Sequence, residues 1–326
     1  MGYNRNFVVM FNTMNYYPMF KGCQYKYSKA NHKNVMVLNV DINSTEENKK
    51  IGMETCDELG IHFVNPNENY IGNQFGVKAV DEYLTRNNID SDWIVYFEHD
   101  VIPMESDFWD KLDKSLEKID TDKVSMFSPN SIMDYGVAQK TIGSDNILER
   151  RKNKTRTARG NLLTGILENP QYGWYSQLPD EWYEKEHFFV ESPYWTCVGF
   201  NRKLFREHIE IDSKFLFELW PDDIAHQFLK KGFYNISFTD LMVCHDHYFK
   251  KDVKVTTINR SQPDSGDYCQ EQMRFWGKHG WRWGKRNTNL RKQFKNAVKG
   301  YPSGNLQEVL FNMRVSEGPK NYEDLC

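Results

Sequence analysis

The sequence lacks the features that mark several large classes of protein. No apolar run approaches the ~20 residues that cross a bilayer, and the first residues, MGYNRNFVVMF, lack the basic and apolar regions of a secretory signal. The six cysteines are widely scattered and include no CxxC pair, so we expect free thiols in a reducing compartment. The net charge of -3 argues against a dedicated nucleic-acid partner. We therefore expect a soluble, cytoplasmic protein without a membrane span.

The composition is that of a folded protein with an ample core. The chain has 326 residues, of which 39% are hydrophobic and 15% aromatic, enough for one large domain or two modest ones. In the first half, short apolar runs alternate with segments of helical spacing. Such alternation indicates crossover units and predicts an α/β fold with a mostly parallel central sheet flanked by helices.

One helix has clear signals at both ends. Ser44 to Glu47 reads STEE, a capping-box pattern, and Gly60 suits the C-terminal cap. The spacing predicts a helix between them, with one apolar side formed by Ile51, Met53, Cys56 and Leu59.

Polar residues directly follow three of the predicted strands. They are Asn12-Thr13, Asp41 and Glu98-His99-Asp100. Ligands of open α/β sheets bind outside the carboxyl ends of the strands, so three such endings predict a site at one edge of the sheet.

The acids after the strand ending at Phe97 have two interpretations. Glu98 and Asp100 could hold a hard divalent cation that in turn binds a diphosphate, with Asp100 the better direct ligand. Alternatively, the strand simply ends in solvent. His245 and His247 follow another apolar strand. They could be structural histidines, they could share a cation with Asp100, or they could form an independent zinc site.

A second pair of acids lies behind Trp220-Pro221 at the start of a predicted helix. Asp222 and Asp223 could simply complement the helix dipole. In a partly apolar cleft, one of them could instead deprotonate a hydroxyl while Trp220 stacks against a sugar.

Two further segments are basic. Residues 129–188 show weak periodicity and contain a basic run at 150–156, which suits either a solvated loop or a flap that closes over an anionic ligand. The tail from Arg274 to Lys299 has nine Lys or Arg, no Asp or Glu, and interleaved tryptophans. It could be a surface helix, a nucleic-acid contact, or an arm that reaches a diphosphate.

Taken in order, these motifs resemble those of the inverting family 2 glycosyltransferases of the GT-A (Rossmann-like) fold, over residues 5 to 285. The matching segments are NVDINSTE at 39–46, FEHD at 97–100, WTCVGFNRKLF at 195–205, WPDD at 220–223, VCH at 243–245 and WGK at 276–278. Three departures stand out. Glu98 replaces the first acid of the DxD element, the interval from Asp223 to Gly232 is shorter than the common pattern, and residues 129–188 have no counterpart.

The resemblance implies a GT-A domain over 1–250, with a donor half at about 1–128, an insert at about 129–188 and an acceptor half at about 189–250. Residues 251–326 would form a basic, aromatic, helical C-terminal extension packed on it. The implied reaction moves a sugar, with inversion, from a UDP-, GDP- or dTDP-sugar to a hydroxyl of a glycan or glycosylated acceptor.

The same resemblance implies roles for individual residues. The base would be Asp223 or Asp222, and acceptor binding would involve Trp195 and Trp220. Mn²⁺ or Mg²⁺ would be held by Asp100, His245, Glu98 and His247. The donor-binding residues would be Asn12, Thr13, Asp41, Lys78, Glu98 and His99.

Three other functions remain open from the sequence. They are a retaining transferase on the same fold, a nucleotidyltransferase that releases pyrophosphate, and a glycan- or nucleic-acid-binding protein without turnover.

Overall fold

The structure is a computed structural model. It describes residues 5–13, 34–66, 70, 73–98, 101–103, 105–132, 185–213, 215, 219–245, 275, 278 and 279. Most of the predicted insert, including the basic run at 150–156, and most of the tail lie outside this part of the chain.

The described residues form nine strands and five helices. The strands are β1 (Phe7–Thr13), β2 (Val35–Asp41), β3 (His62–Val64), β4 (Trp93–Phe97), β5 (Val101–Pro103), β6 (Val124–Ile132), β7 (His187–Val190), β8 (Cys197–Asn201) and β9 (Tyr234–His245). The helices are α1 (Glu46–Leu59), α2 (Gly76–Arg86), α3 (Phe108–Glu117), α4 (Arg202–His208) and α5 (Trp220–Lys230), and a short 3-10 turn, Asn73–Phe75, precedes α2.

The strands form one sheet in the order β3-β2-β1-β4-β8-β6-β9-β5, with β7 also paired to β9. Strands β1, β2, β3 and β4 are mutually parallel, as are β6 and β9, while β8, β5 and β7 run antiparallel to their neighbours. The predicted α/β fold with a mostly parallel sheet is confirmed. Both β6 and β7 extend into the predicted insert, through Ile132 and from His187.

Helices cover both faces of the sheet. Residues Val8 and Met10 of β1 pack on the face that carries α2, α4 and α5, and Phe7, Val9 and Phe11 pack on the face that carries α1 and α3. This burial on both sides explains why the strands are continuous apolar runs without polar alternation.

Helix α1 begins and ends as predicted, but only Cys56 and Leu59 of its predicted apolar side pack against the core. Thr45 is the N-cap, and Gly60 ends the helix at φ 63°. Ile51 and Met53 are 40% and 51% exposed, and the side packed on the sheet carries Gly52, Thr55 and Cys56. These small residues recur at i, i+3 and i+4, so they form one helix face and allow close approach to the sheet.

Among the described residues, no helix is long and apolar enough to span a membrane. Two cysteines whose side chains are described, Cys56 and Cys197, are buried free thiols. Burial raises the pKa of Cys56 to about 12, with a smaller contribution from Asp41.

Candidate active site at the carboxyl edge of the sheet

The ends of β1 and β2 meet at the predicted edge. Thr13 pairs with Asp41 in the parallel register, and the Thr13 hydroxyl donates to Oδ1 of Asn39. The Asp41 carboxylate is fully buried, and its Oδ1 accepts a hydrogen bond from the Ser44 amide at 3.0 Å. Asp41, the last residue of β2, therefore holds the turn that leads from β2 to α1.

Asn12 packs against the start of α2. Its Nδ2 donates to the backbone oxygen of Asn73 at 3.3 Å, and a Cβ at Gly76 would lie only 2.4 Å from Asn12 Oδ1. That buried oxygen has no hydrogen-bond partner among the described residues. Lys78, two residues further along α2, places its ammonium 5.4 Å from the centre of the Tyr70 ring.

The segment after β4 folds back into the sheet beside β9. The Glu98 amide donates to the Thr196 oxygen at 2.9 Å, and the Val101 amide donates to the Glu98 oxygen at 3.0 Å. Val101 then pairs with His245, the last residue of β9. The backbone on both sides of the predicted metal-binding segment is thus at the same edge as the end of β9.

The predicted ligands themselves are only partly described. His99, Asp100 and His247 lie outside the described residues, and of His245 only the backbone is described. Within the described part of the chain, no group of three or more His, Cys, Asp or Glu side chains could hold a metal. Carboxylates and imidazoles are residue types that suit a divalent cation, and the backbone of Val101, the residue after Asp100 in the sequence, pairs with that of His245.

Asp223 is in the first turn of α5 and is 2% exposed. Its Oδ1 lies 2.7 Å from Lys278 Nζ and 2.7 Å from His279 Nε2. Its Oδ2 lies 2.8 Å from Lys278 Nζ and 2.8 Å from Gln227 Nε2. Residues of the C-terminal extension therefore contact the predicted catalytic acid directly.

Burial is the largest cause of the pKa shifts of Asp223 and His279. It raises the pKa of Asp223 above its ordinary value, an effect that the charge of Lys278 and the hydrogen bonds from Lys278 and Gln227 oppose. Burial also lowers the pKa of His279 well below its ordinary value, with further lowering by His226 and the nearby lysines. A neutral His279 donates its Nε2–H to Asp223.

Asp222 is also buried, and its backbone oxygen is 2.8 Å from His226 Nδ1. The other ring nitrogen of His226 lies 3.1 Å from Glu191 Oε1.

The start of α5 is connected to the edge of the sheet by a chain of contacts. The Gln74 amide donates to the Ser213 oxygen at 3.2 Å, and Gln74 belongs to the 3-10 turn that also contacts Asn12. Asp212, next to Ser213, lies 3.5 Å from Lys278 Nζ, which contacts Asp223. The acid pair and the polar end of β1 are thus two ends of one contiguous region.

The two predicted acceptor tryptophans differ. Trp195 is half-buried at the edge, just before β8. Trp220 is 1% exposed and packs between Tyr96, at 5.5 Å between ring centres, and Phe200, at 6.0 Å. A ring enclosed in this way has no face for a sugar, so we assign Trp220 a packing role.

Three polar residues at this edge were missed from the sequence. Thr196, Asn130 and Ser131 are buried, and the oxygens Oγ1, Oδ1 and Oγ of their side chains have no hydrogen-bond partner among the described residues. Buried polar groups are normally paired, so such atoms indicate room for a ligand group or water. The only sequence signal was a polar stretch, SPNS, at the end of an apolar strand.

No family model matches the sequence, and no curated protein matches it. The fold is similar to that of solved glycosyltransferases. GalNAc-T7, solved with UDP, GalNAc and Mn²⁺, is 12% identical with a TM-score of 0.56 over 95% of this chain and 54% of that chain. The mannosyltransferase PcManGT from Pyrobaculum calidifontis, solved with GDP-Man and Mn²⁺, is 11% identical with a TM-score of 0.50 over 95% of this chain and 74% of that chain. The chain thus has a GT-A fold and spans about half the length of GalNAc-T7.

Proposed function

We propose that this protein is a metal-dependent glycosyltransferase that moves a sugar from a nucleoside-diphosphate sugar to an acceptor hydroxyl, with inversion at the anomeric carbon. The observation that carries the proposal is the pairing of Val101 with His245. It joins the predicted metal-binding segment to the end of β9, at the edge where Thr13 and Asp41 also end.

The fold likeness supports this function over other uses of an α/β sheet. Two different glycosyltransferases with this fold were solved with a nucleotide or nucleotide sugar and Mn²⁺. One carries UDP and the other GDP-Man, so the likeness does not choose the base. Sequence identities of 12% and 11% leave the donor sugar and the acceptor to be measured.

On the donor side, Thr13 and Asp41 would bind the nucleotide base, with Asn12 Oδ1 accepting a hydrogen bond from the donor. Asp100 and His245, with Glu98 and His247 as further candidates, would hold Mn²⁺ or Mg²⁺. When bound, the cation neutralises the charge that grows on the departing diphosphate. Lys78 and His99 remain candidates for contacts to the donor.

On the acceptor side, the acid pair of α5 would supply the general base. One carboxylate takes the proton from the acceptor hydroxyl as the hydroxyl oxygen forms a bond to the anomeric carbon. The bond from that carbon to the diphosphate oxygen breaks, and the nucleoside diphosphate leaves with the electron pair. Trp195 would contact the acceptor from the segment before β8.

Binding of the nucleotide is the first test. We expect UDP, GDP or dTDP to bind in calorimetry with Mn²⁺ and to lose affinity with EDTA. Asp100→Ala should abolish the metal-dependent part, whereas Asp107→Asn, at a half-exposed acid whose carboxylate lies 3.6 Å from Lys111, should bind normally. Absence of binding by all three nucleotides with Mn²⁺ would contradict the proposal.

Turnover separates the alternatives. A panel of UDP-, GDP- and dTDP-sugars should release nucleoside diphosphate, and NMR of the product should show an inverted anomeric configuration. Release of pyrophosphate would identify a nucleotidyltransferase, and a retained configuration would identify a retaining transferase. A salt-dependent affinity for RNA or DNA without nucleotide-sugar binding would identify a nucleic-acid-binding protein.

A further inference from the structure

Strands β6 and β8 stop pairing before they reach the carboxyl edge of the sheet. Among the described residues, β6 pairs with β8 at Met126 and Phe127 and no further along the strand. From Asn130 to its end, β6 pairs with β9 alone. Pro129 lies just before this last stretch, and a proline has no amide hydrogen to donate to a strand ladder. The hydrogen-bonded ladder between β6 and β8 is therefore open at this edge.

A buried oxygen without a partner lies on each side of this opening. Thr196 directly precedes β8, Asn130 lies in β6, and both are at most 2% exposed. Thr196 Oγ1 and Asn130 Oδ1 have no hydrogen-bond partner among the described residues. Leaving a buried polar atom unpaired costs free energy of folding, so two such atoms indicate that a ligand completes their hydrogen bonds.

Both side chains are on the face of the sheet that carries α2, α4 and α5. Thr196 is two residues before Val198, and successive residues of a strand point to opposite faces. Val198 packs on that face, and so does Met242, the residue of β9 that pairs with Asn130. Ser131, the next residue of β6, points to the opposite face by the same alternation. Thr196 and Asn130 therefore form a pair that does not include Ser131.

This pair is next to both the donor side and the acceptor side of the candidate site. The amide of Glu98, in the predicted metal-binding segment, donates to the Thr196 oxygen at 2.9 Å. On the same face of the sheet, α5 begins at Trp220, whose ring packs on Tyr96, two residues before Glu98. A group bound by Thr196 and Asn130 would therefore lie near both the departing diphosphate and the acid pair of α5. In the proposed reaction, that group is the sugar that is transferred.

We propose that Thr196 and Asn130 bind hydroxyl groups of the transferred sugar, and that this sugar is a neutral one. The inference rests on the proposed glycosyltransferase function and adds the class of sugar. Asn130 Oδ1 can only accept a hydrogen bond, so it favours a hydroxyl or an amide N–H over a carboxylate. The Thr196 hydroxyl can donate or accept, and neither side chain carries a positive charge. The carboxylate of a sugar acid would therefore face an acceptor oxygen here.

Calorimetry on the full chain with Mn²⁺ tests the pair. The probe is the tightest-binding donor among UDP-glucose, UDP-N-acetylglucosamine, GDP-mannose and dTDP-glucose. Thr196→Val and Asn130→Leu each remove the unpaired oxygen and nearly keep the size of the side chain. Each should weaken binding of this nucleotide sugar about fivefold, as expected for the loss of one net hydrogen bond. The affinity for the matching nucleoside diphosphate, which lacks the transferred sugar, should stay at the wild-type value.

The same change at another buried threonine is the control. Thr55→Val, in α1 on the opposite face of the sheet, should leave both affinities unchanged.

A purely structural role for the Thr196 hydroxyl makes a different prediction for the ligand-free protein. Because removal of an unpaired buried hydroxyl costs no hydrogen bond, the urea midpoint of Thr196→Val should be no lower than that of wild type. A clearly lower midpoint would show that the hydroxyl has a partner within the protein, and it would overturn the inference.

The binding results separate this inference from the proposed function. If the wild type binds a nucleotide sugar with Mn²⁺ and both variants bind it equally tightly, the inference is wrong and the proposed function stands. An equal loss of affinity for the nucleoside diphosphate would also overturn it, since the effect would not come from the sugar. Tighter binding of UDP-glucuronic acid than of UDP-glucose, or binding of no neutral donor, would overturn the class of sugar. If no nucleotide binds, the proposed function fails and this inference fails with it.

Discussion

Asp81 of α2 and Arg202 of α4 form a largely buried ion pair, with Asp81 Oδ1 2.7 Å from Arg202 Nε. Arg202 also donates to the Ile89 oxygen at 2.8 Å and to the Thr85 hydroxyl at 3.2 Å. The exposed Arg206, one turn later on α4, reaches the same carboxylate at 2.7 Å. These contacts join the donor half of the sequence to the acceptor half.

Replacing Asp81 should destabilise the protein in a pH-dependent manner. Burial opposes ionisation of Asp81, but the hydrogen bonds from Arg206 and Arg202 outweigh it and lower its pKa. The stabilisation is therefore present above the ordinary Asp pKa of about 3.9 and is lost as the pH falls through the lower pKa of the folded state.

We expect Asp81→Asn to lower the free energy of unfolding by about 3 kcal/mol at pH 7, since Arg202 is left buried without its partner. The difference from wild type should shrink below about pH 4. Urea unfolding at several pH values measures both. Asp107→Asn, at a half-exposed pair, should change stability by less than about 1 kcal/mol. A loss of less than about 1 kcal/mol for Asp81→Asn would contradict the prediction.

Gly199→Ala should disrupt the core at the centre of the sheet. A Cβ at Gly199 would lie 2.1 Å from Cε1 of Phe127, whose ring is held by Trp93 at 5.1 Å and Phe238 at 5.7 Å. We expect a loss of about 3 kcal/mol, the upper end for added atoms in a packed core. Phe127→Leu should relieve part of the clash, so the double variant should lose less than the sum of the single changes.

Gly76→Ala should weaken nucleotide binding while it leaves stability nearly unchanged. The new methyl group would displace the Asn12 amide, which its Cβ approaches to 2.4 Å, whereas Ala is a better helix former than Gly. We expect the affinity for the nucleotide and Mn²⁺ to fall about fivefold in calorimetry, the value of one net hydrogen bond of about 1 kcal/mol. Asn12→Ala should cost a similar factor, and the double variant no more than either. Additive losses of affinity would show that Gly76 and Asn12 act on nucleotide binding independently, which would contradict the prediction.

His279→Gln should make stability less sensitive to acid. Burial first, and then the charges of His226, Lys230 and Lys278, lower the pKa of His279, while Asp212 opposes them. Between that low pKa and about 6.5, the unfolded chain binds a proton that the folded chain does not, so stability falls as the pH falls.

The raised pKa of Asp223 acts in the opposite direction, because the folded chain then holds a proton that the unfolded chain has lost. The glutamine side chain of the His279→Gln variant would still donate a hydrogen bond but would not titrate. We therefore expect the free energy of unfolding to fall less between pH 7.5 and pH 5 in His279→Gln than in wild type, because the variant lacks the contribution of His279 to the pH dependence. Equal pH slopes for the two proteins would show that His279 is not buried in its neutral form.

Much of the fold was predictable because local patterns agreed with it. The capping residue Thr45 and the αL glycine Gly60 determine the ends of α1 through backbone hydrogen bonding over a few residues. The buried face of that helix was predicted only in part, since Cys56 and Leu59 pack against the core but Ile51 and Met53 are exposed. Which helix face meets the sheet depends on how closely the two can approach, and the sequence pattern does not contain that distance.

The candidate site was also predicted only in part. Polar residues after apolar strands marked Asn12, Thr13, Asp41 and Glu98, because a parallel sheet gathers its carboxyl ends at one edge. Trp220 carried no sequence signal of its burial between Tyr96 and Phe200. Thr196, Asn130 and Ser131 were missed because isolated polar residues in strands are common and only their surroundings distinguish them.

By itself, the sequence determined the alternation of strands and helices, the polar strand ends and the resemblance that these motifs carry, since each depends on residues near one another in the chain. Only the tertiary structure decided that His245 pairs beside the segment containing Asp100, and that Lys278 and His279 occupy the carboxylate of Asp223. Those relationships join residues far apart in the chain. They arise because the strand order and the burial of Phe275 bring them together, and no local pattern encodes that proximity.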